Sequence, residues 1–128
     1  MVRLGLFVSF FLIAATAFSF NPPCTERTCI GVVDVGSTGS RLHVYQFQNK
    51  PDHASEQLFD KVWFKKITPG FATLPADPAL INHYLSQLFQ DSPEHFPVYF
   101  YASAGMRLLP SERQDKYYQA VQAWFLSS

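Results

Sequence analysis

Hydrophobic and polar positions fall into two rhythms along this chain, a period of two in its first half and mostly a helical period after it. Cys29–Val35 (CIGVVDV) is an apolar run interrupted near its end by a buried-looking Asp34, and it reads as a central strand. Gly36-Ser37-Thr38-Gly39 is a tight turn. Ser40–Gln48 (SRLHVYQFQ) alternates and is rich in Val, Tyr and Phe, so it predicts a second strand and, with the first, a β-hairpin. Asn49–Ser55 is a polar connection, and Leu58–Ile67 (LFDKVWFKKI) alternates as a third strand. Thr68–Ala76 holds Pro69, Gly70 and Pro75 and reads as a loop. The rhythm then changes. Asp77-Pro78 is a helix start, with Asp as the cap and Pro at the first helical position. Leu80, Ile81, Tyr84, Leu85, Leu88 and Phe89 follow at helical spacing, and the helix must end before Pro93. Pro97–Ser103 (PVYFYAS) is apolar on both parities, the pattern of a strand buried within a sheet. Ala104–Pro110 is a loop or a first helical turn. Ser111 with Gln114 predicts a capping box, opening a last helix with Tyr117, Tyr118, Val121, Trp124 and Phe125 on one side. The order β-β-β-α-β-α describes a mixed α/β domain.

The first residues obey neither rhythm. A cation at Arg3 is followed by an uncharged stretch from Leu4 to Phe20, and small residues stand at Ala15, Ala17 and Ser19. These are the three parts of a secretory signal peptide, residues 1–19, with cleavage after Ala17 or Ser19. The alternative is an uncleaved signal anchor, although a run of about 17 residues is at the short limit for a bilayer span. After cleavage the domain would be 20–128, an exported chain bound for the medium, a periplasm or a secretory lumen, with no membrane contact.

Composition narrows the classes further. The 128 residues are 48% hydrophobic and 16% charged, with Lys+Arg and Asp+Glu equal at 10 each. Such a chain is too apolar for disorder and too neutral to neutralise nucleic-acid phosphates, so no nucleic-acid partner is expected. No repeat or low-complexity tract appears. Two cysteines cannot build a disulfide scaffold, but in an oxidising compartment Cys24 and Cys29 can close a local loop, worth roughly 2 kcal/mol by chain entropy. Two unpaired thiols are the alternative. The four histidines (His43, His53, His83 and His95) are scattered, which does not suit a zinc site.

Two segments carry candidate chemistry. In Asp34-Val35-Gly36-Ser37-Thr38-Gly39-Ser40-Arg41 the glycines allow a sharp turn and a close approach of backbone to ligand. Successive N–H groups in such a turn can cradle phosphate oxygens. Ser37, Thr38 and Ser40 add hydroxyls, Arg41 adds a fixed charge, and Asp34 could hold a hydrated Mg²⁺ or Ca²⁺ beside the phosphates. A plain hairpin with a polar tip is the alternative. In Tyr101-Ala102-Ser103-Ala104-Gly105-Met106-Arg107-Leu108-Leu109-Pro110 a strand ends in small residues before a helix, and strand C-termini in α/β sheets are where ligands bind. Ser103 could donate to a phosphate, with Ala104 and Gly105 leaving it room. A crowded packing corner is the alternative there.

Taken together, Asp34–Tyr45 (DVGSTGSRLHVY) resembles the first signature segment of the apyrase, or nucleoside triphosphate diphosphohydrolase, family, and Ala102–Pro110 (ASAGMRLLP) resembles the second. Lys66–Ala72 (KITPGFA), followed by Pro78, is similar to the family as well. The Gly-Ser-Thr-Gly-Ser-Arg form with His-Val-Tyr after it looks most like the soluble branch acting on GDP and UDP. The resemblance covers about residues 30–110. It implies a ribonuclease-H-like lobe of the actin-like phosphotransferase fold, incomplete here, since a further strand is expected after the last helix.

The resemblance also implies roles. Asp34 would orient Mg²⁺ or Ca²⁺ through water. Ser37, Thr38, Gly39 and Ser40 would hold terminal phosphates of a nucleoside di- or triphosphate. Ser103, Ala104 and Gly105 would face the scissile phosphate from the other side. Arg41 and Arg107 would support them, Arg107 having a structural ion pair as its alternative. Val35 stands where the family usually has Ala, and Ser103 where Thr is usual. The family's catalytic Glu lies in a third segment downstream, so no residue of this chain is assigned the catalytic role. Glu112, the Glu that follows the second segment, sits in a first helical turn where the helix dipole favours an acid. The expectation is an N-terminal portion of an exported nucleotide phosphohydrolase, a truncated product or gene fragment that is inactive alone and lacks a C-terminal segment or lobe. Another actin-like phosphatase such as an exopolyphosphatase, or a non-catalytic phosphate-binding remnant, are the alternatives.

Overall fold

The computed structural model of the chain describes residues 24–48 and 58–128. The expected signal peptide and the polar connection Asn49–Ser55 lie outside the described residues. Four strands, β1 (Cys29–Val35), β2 (Ser40–Gln48), β3 (Leu58–Ile67) and β4 (Val98–Ala102), form one sheet in the order β3-β2-β1-β4. β1 pairs antiparallel with β2 and parallel with β4, and β2 pairs antiparallel with β3. The C-terminal ends of β1, β3 and β4 therefore emerge at the same end of the sheet. The loops that follow them are the three segments singled out above.

One face of the sheet is buried. Val33, Val35, Leu42 and Val44 alternate onto it and are almost fully shielded. Helix α1 (Pro78–Phe89) crosses that face between β3 and β4, contacts β2 and β3, and packs against α3 (Ser111–Ser127). Ile81, Tyr84, Leu85 and Leu88, spaced one helical turn apart, form its buried stripe, each side chain worth roughly 1.5–3 kcal/mol of burial. Its start follows the sequence signal: the Asp77 carboxylate accepts from the N–H groups of Ala79 (2.8 Å) and Leu80 (3.2 Å), with Pro78 behind it.

At the centre lies Phe71, from a short 3₁₀ turn (Phe71–Thr73). It is wholly buried, with ring centroids 5.6 Å from Tyr84, 5.3 Å from Tyr117 and 5.9 Å from Phe100. The loop after β3 is thus a part of the core.

Three expectations need correction. β4 is an edge strand: its inward residues Val98, Phe100 and Ala102 pack on the core, while Tyr99 and Tyr101 are 53% and 61% exposed. An apolar run on both parities does not report whether both faces are covered, and here both long helices share one face. The capping box does not form. Pro110 takes the cap position of α3, its carbonyl accepting from Arg113 and Gln114, and the Gln114 side chain donates to the Leu109 carbonyl at 2.7 Å. Asp34 is not buried. It points to the open face of the sheet, its side chain is 44% exposed, and Arg41 Nη1 lies 3.5 Å away.

Candidate functional site

The turn after β1 is closed by the Gly36 N–H donating to the Gly39 carbonyl at 2.9 Å. No glycine in the described residues has positive φ, so these glycines serve by their missing side chains. A Cβ on Gly39 would stand 2.7 Å from the Ile67 carbonyl, and one on Gly70 would collide with the backbone carbonyl of Ser37. Gly105 lies against Ser37 from the other side, where a Cβ would sit 3.4 Å from the Ser37 Cα. Three loops from three strand ends therefore meet at Ser37, and each contributes a glycine where backbones approach. Ser37 and Thr38 at the tip are exposed.

Two hydroxyl networks hold this arrangement. Ser103 donates twice to the Val35 carbonyl, through its N–H at 3.0 Å and its Oγ at 2.7 Å, tying the second segment to the base of the first. The Tyr84 hydroxyl lies 2.6 Å from the Pro69 carbonyl and 2.9 Å from Ser40 Oγ. A carbonyl only accepts, so the Tyr84 proton goes to Pro69 and the Ser40 hydroxyl donates in return. Burial pushes the Tyr84 phenol above its ordinary 10.0, and the bonds from Ser40 pull it partly back. Tyr117 donates to the Leu74 carbonyl and steadies the far end of the same loop.

The sequence-derived residues divide accordingly. Ser37, Thr38, Gly39 and Gly105 are brought together, and Ala104 opens the short helix α2 (Ala104–Arg107) beside them. Ser40 is fully buried with its hydroxyl turned inward, and the Ser103 hydroxyl is spent on Val35. Both serines brace the turn, and their side chains face the protein. Arg41 is the cross-strand partner of Asp34. Arg107 is exposed, and among the described residues no ion pair to it is found. Glu112 pairs with Lys116 at 3.4 Å on the surface of α3. Sequence reasoning missed Gly70 as the residue that lets the third loop reach Ser37. It also missed Tyr84, although a Tyr in an apolar helix stripe signals a buried hydroxyl in need of a partner. The Cys24 and Cys29 sulfurs are joined in a disulfide, with Cα atoms 5.2 Å apart, at the opposite end of β1.

Among the described residues no group of three His, Cys, Asp or Glu side chains could cage a metal. Asp34 is the carboxylate at the turn. That donor set fits a hydrated Mg²⁺ or Ca²⁺ held through water and by the phosphates of a ligand; it does not fit an all-protein cage. No helix among the described residues is long and apolar enough to cross a membrane.

Comparison with known proteins identifies the family. The chain is 34% identical over 103 residues to the nucleoside-diphosphatase mig-23 of Caenorhabditis elegans, covering 70% of this chain and 19% of that one. It is 37% identical over 91 residues to the guanosine-diphosphatase of Schizosaccharomyces pombe, covering 64% and 16%. It is 35% identical over 103 residues to human ectonucleoside triphosphate diphosphohydrolase 6, covering 74% and 21%. The chain spans about a fifth of the length of these relatives. The model of the GDA1/CD39 (nucleoside phosphatase) family matches residues 23–127, and the chain belongs to that family.

Proposed function

We propose that this chain is the phosphate-binding part of an exported nucleoside di- or triphosphate phosphohydrolase, built as part of a ribonuclease-H-like, actin-like lobe. The observation that carries the reading is the meeting of the three loops at Ser37. Backbone N–H groups of Gly36–Gly39 and the exposed hydroxyls of Ser37 and Thr38 would take the terminal phosphate oxygens. The Ser103–Gly105 corner would close over them from the other side. Asp34 would release Arg41 to hold the water shell of Mg²⁺ or Ca²⁺, leaving Arg41 free to approach a phosphate. The bound cation would supply charge neutralisation as water attacks the terminal phosphorus, the bond to the bridging oxygen breaks and the shortened nucleotide leaves. The names of the relatives support a nucleoside diphosphate or triphosphate as ligand, and the prefix ecto- in one of them accords with an exported location.

These residues bind; they do not activate water. With Asp34 committed to the cation, no further carboxylate stands at the turn among the described residues. Phosphate binding lowers substrate and transition state alike and leaves the chemical rate unchanged. A positioned base, typically worth about 10²–10⁴-fold, is not assigned to this chain. The second reading, a phosphate-binding unit without turnover of its own, is favoured by that single carboxylate.

The test is an amide NMR titration of the chain from Phe20 to Ser128 with GDP, UDP and inorganic phosphate, with and without Mg²⁺, alongside a phosphate-release assay. Shifts at Gly36–Gly39 and Ser103–Gly105 that grow with Mg²⁺ and shrink in Asp34→Ala are expected, without release above that variant. Absence of shifts at millimolar nucleotide would overturn the binding reading. Metal-dependent turnover would overturn the assignment of no base.

A further inference from the structure

The end of the sheet where the three loops meet carries a row of charges. The register sets Asp34 of β1 beside Arg41 of β2, and Arg41 beside Lys66 of β3. Asp34 is engaged by Arg41 at 3.5 Å, and Lys66 has no carboxylate at ion-pair distance among the described residues. One carboxylate therefore answers two cations. Directly opposed side chains on antiparallel strands stand about 5 Å apart at Cβ, and like charges so placed destabilise the pair. An anion bound beside Lys66 would remove that cost.

Lys66 is also placed to meet one. A Cβ on Gly39 would lie 3.4 Å from Lys66 Cε, and a Cβ on Gly36 would lie 3.7 Å from Arg41 Nη1. The two cations flank the turn, Arg41 at its entry and Lys66 at its exit. The Lys66 ammonium is one bond beyond the carbon that lies alongside Gly39, and the side chain is exposed, so a ligand at the turn can reach it. The corner after β4 approaches from the other flank, where a Cβ on Gly105 would sit 3.4 Å from the Ser37 Cα. A phosphate held between Ser37 and that corner lies on the β4 side of the turn. Gly39 and Lys66 lie on the β3 side, two residues on, at most about 7 Å from Ser37 by chain reach. Donors on opposite flanks suit a chain of phosphates better than a single one.

We propose that Lys66 binds the second phosphate of a di- or triphosphate, so that the turn selects a phosphate chain over a single phosphate. The assignment rests on the phosphate-binding reading of Gly36–Gly39. Lys66 holds phosphate oxygens by a charge-assisted hydrogen bond, and no bond to it forms or breaks. A lone phosphate at Ser37 makes no use of Lys66, so released phosphate is held less tightly than the chain it came from.

The test titrates the chain from Phe20 to Ser128 with inorganic phosphate and with pyrophosphate, in about 0.15 M salt to screen remote charges, following amide and lysine side-chain resonances by NMR. Lys66→Gln removes the charge and keeps most of the stem. Lys61→Gln removes an equal charge from the same strand and face, opposite Tyr45, about 13 Å along β2 from Arg41. Lys66→Gln should weaken pyrophosphate about tenfold and phosphate less than about twofold. Lys61→Gln should leave both within about twofold, and Lys66→Arg should restore most of the pyrophosphate affinity. The Lys66 Hε resonance should move with pyrophosphate and stay with phosphate. Unchanged α1 and α3 amides and a retained urea midpoint check the fold of each variant. If the Gly36–Gly39 amides still shift, then equal weakening of both ligands by Lys66→Gln, an equal effect of Lys61→Gln, or unchanged pyrophosphate affinity in Lys66→Gln would overturn the assignment of Lys66 and leave the cradle standing. Absence of shifts at Gly36–Gly39 with either ligand in the unaltered chain would overturn both.

Discussion

Tyr84→Phe removes one oxygen atom and no core volume, which isolates the contribution of the hydroxyl that links α1 to two of the loops at Ser37. The wild-type hydroxyl makes bonds of 2.6 Å to the Pro69 carbonyl and 2.9 Å to Ser40 Oγ. A typical intramolecular hydrogen bond contributes about 1 kcal/mol net, and a buried group left without a partner costs about 1–3 kcal/mol. Ser40 is fully buried, so its hydroxyl is left without this partner away from bulk solvent. The expected loss is therefore about 2–3 kcal/mol, a large share of the roughly 5–15 kcal/mol that holds a domain together. In a urea titration with a slope near ~2 kcal/mol/M this moves the midpoint down by about 1 M at unchanged slope. Ser40→Ala should cost less, about 1 kcal/mol, because Tyr84 keeps its bond to Pro69, and the double variant should fall short of additivity by about 1 kcal/mol. The phenol also gives a pH signature. Its folded pKa is raised by burial, so the stability it confers is complete below about pH 10 and is lost as pH rises through the raised value. Tyr84→Phe should flatten that alkaline loss. A midpoint shift below about 0.3 M, or strict additivity with Ser40→Ala, would refute the claim that this hydroxyl braces the turn.

Other consequences follow from the same geometry. Gly70→Ala should displace the Ser37 turn, because the added Cβ meets backbone that cannot swing aside. Its amide shifts should spread to Gly36–Gly39 while the α3 shifts hold still. The His43 imidazole should titrate below 6.5 by NMR, and Lys61→Ala should move it up; since its folded pKa is lowered, the stability it confers is complete above about pH 6.5 and lost as pH falls. Intact mass after alkylation without reductant should show no labelled thiol, and two labelled thiols would refute the Cys24–Cys29 bond. Ser103→Ala should loosen the second segment from Val35 and lower stability by about 1 kcal/mol, which a urea titration would resolve.

The strands and α1 were legible because each depends on a local pattern. An apolar run set β1, alternation set β2 and β3, and Asp77-Pro78 set the start of α1. The hairpin even contained the Asp34–Arg41 contact: counting outward from the four-residue turn pairs Val35 with Ser40 and Asp34 with Arg41. The same count contained the fate of Ser40. It shares parity with Leu42 and Val44, which are buried, so its hydroxyl had to face the core. Reading it as a phosphate donor followed the motif where the alternation already pointed inward.

What escaped the sequence is what depends on distance along the chain. Nothing near Tyr84 marks Pro69 or Ser40 as its partners, fifteen and forty-four residues away. Nothing in VYFYA says that both long helices lie on one side of it. The site has the same character. Its motif glycines are local, yet the property that makes a phosphate cradle plausible, three backbones converging on Ser37, exists only because β1, β3 and β4 run the same way and Tyr84 fastens the third loop to the first. A variant that keeps every motif residue but loses that hydroxyl should therefore keep the signature and weaken the cradle.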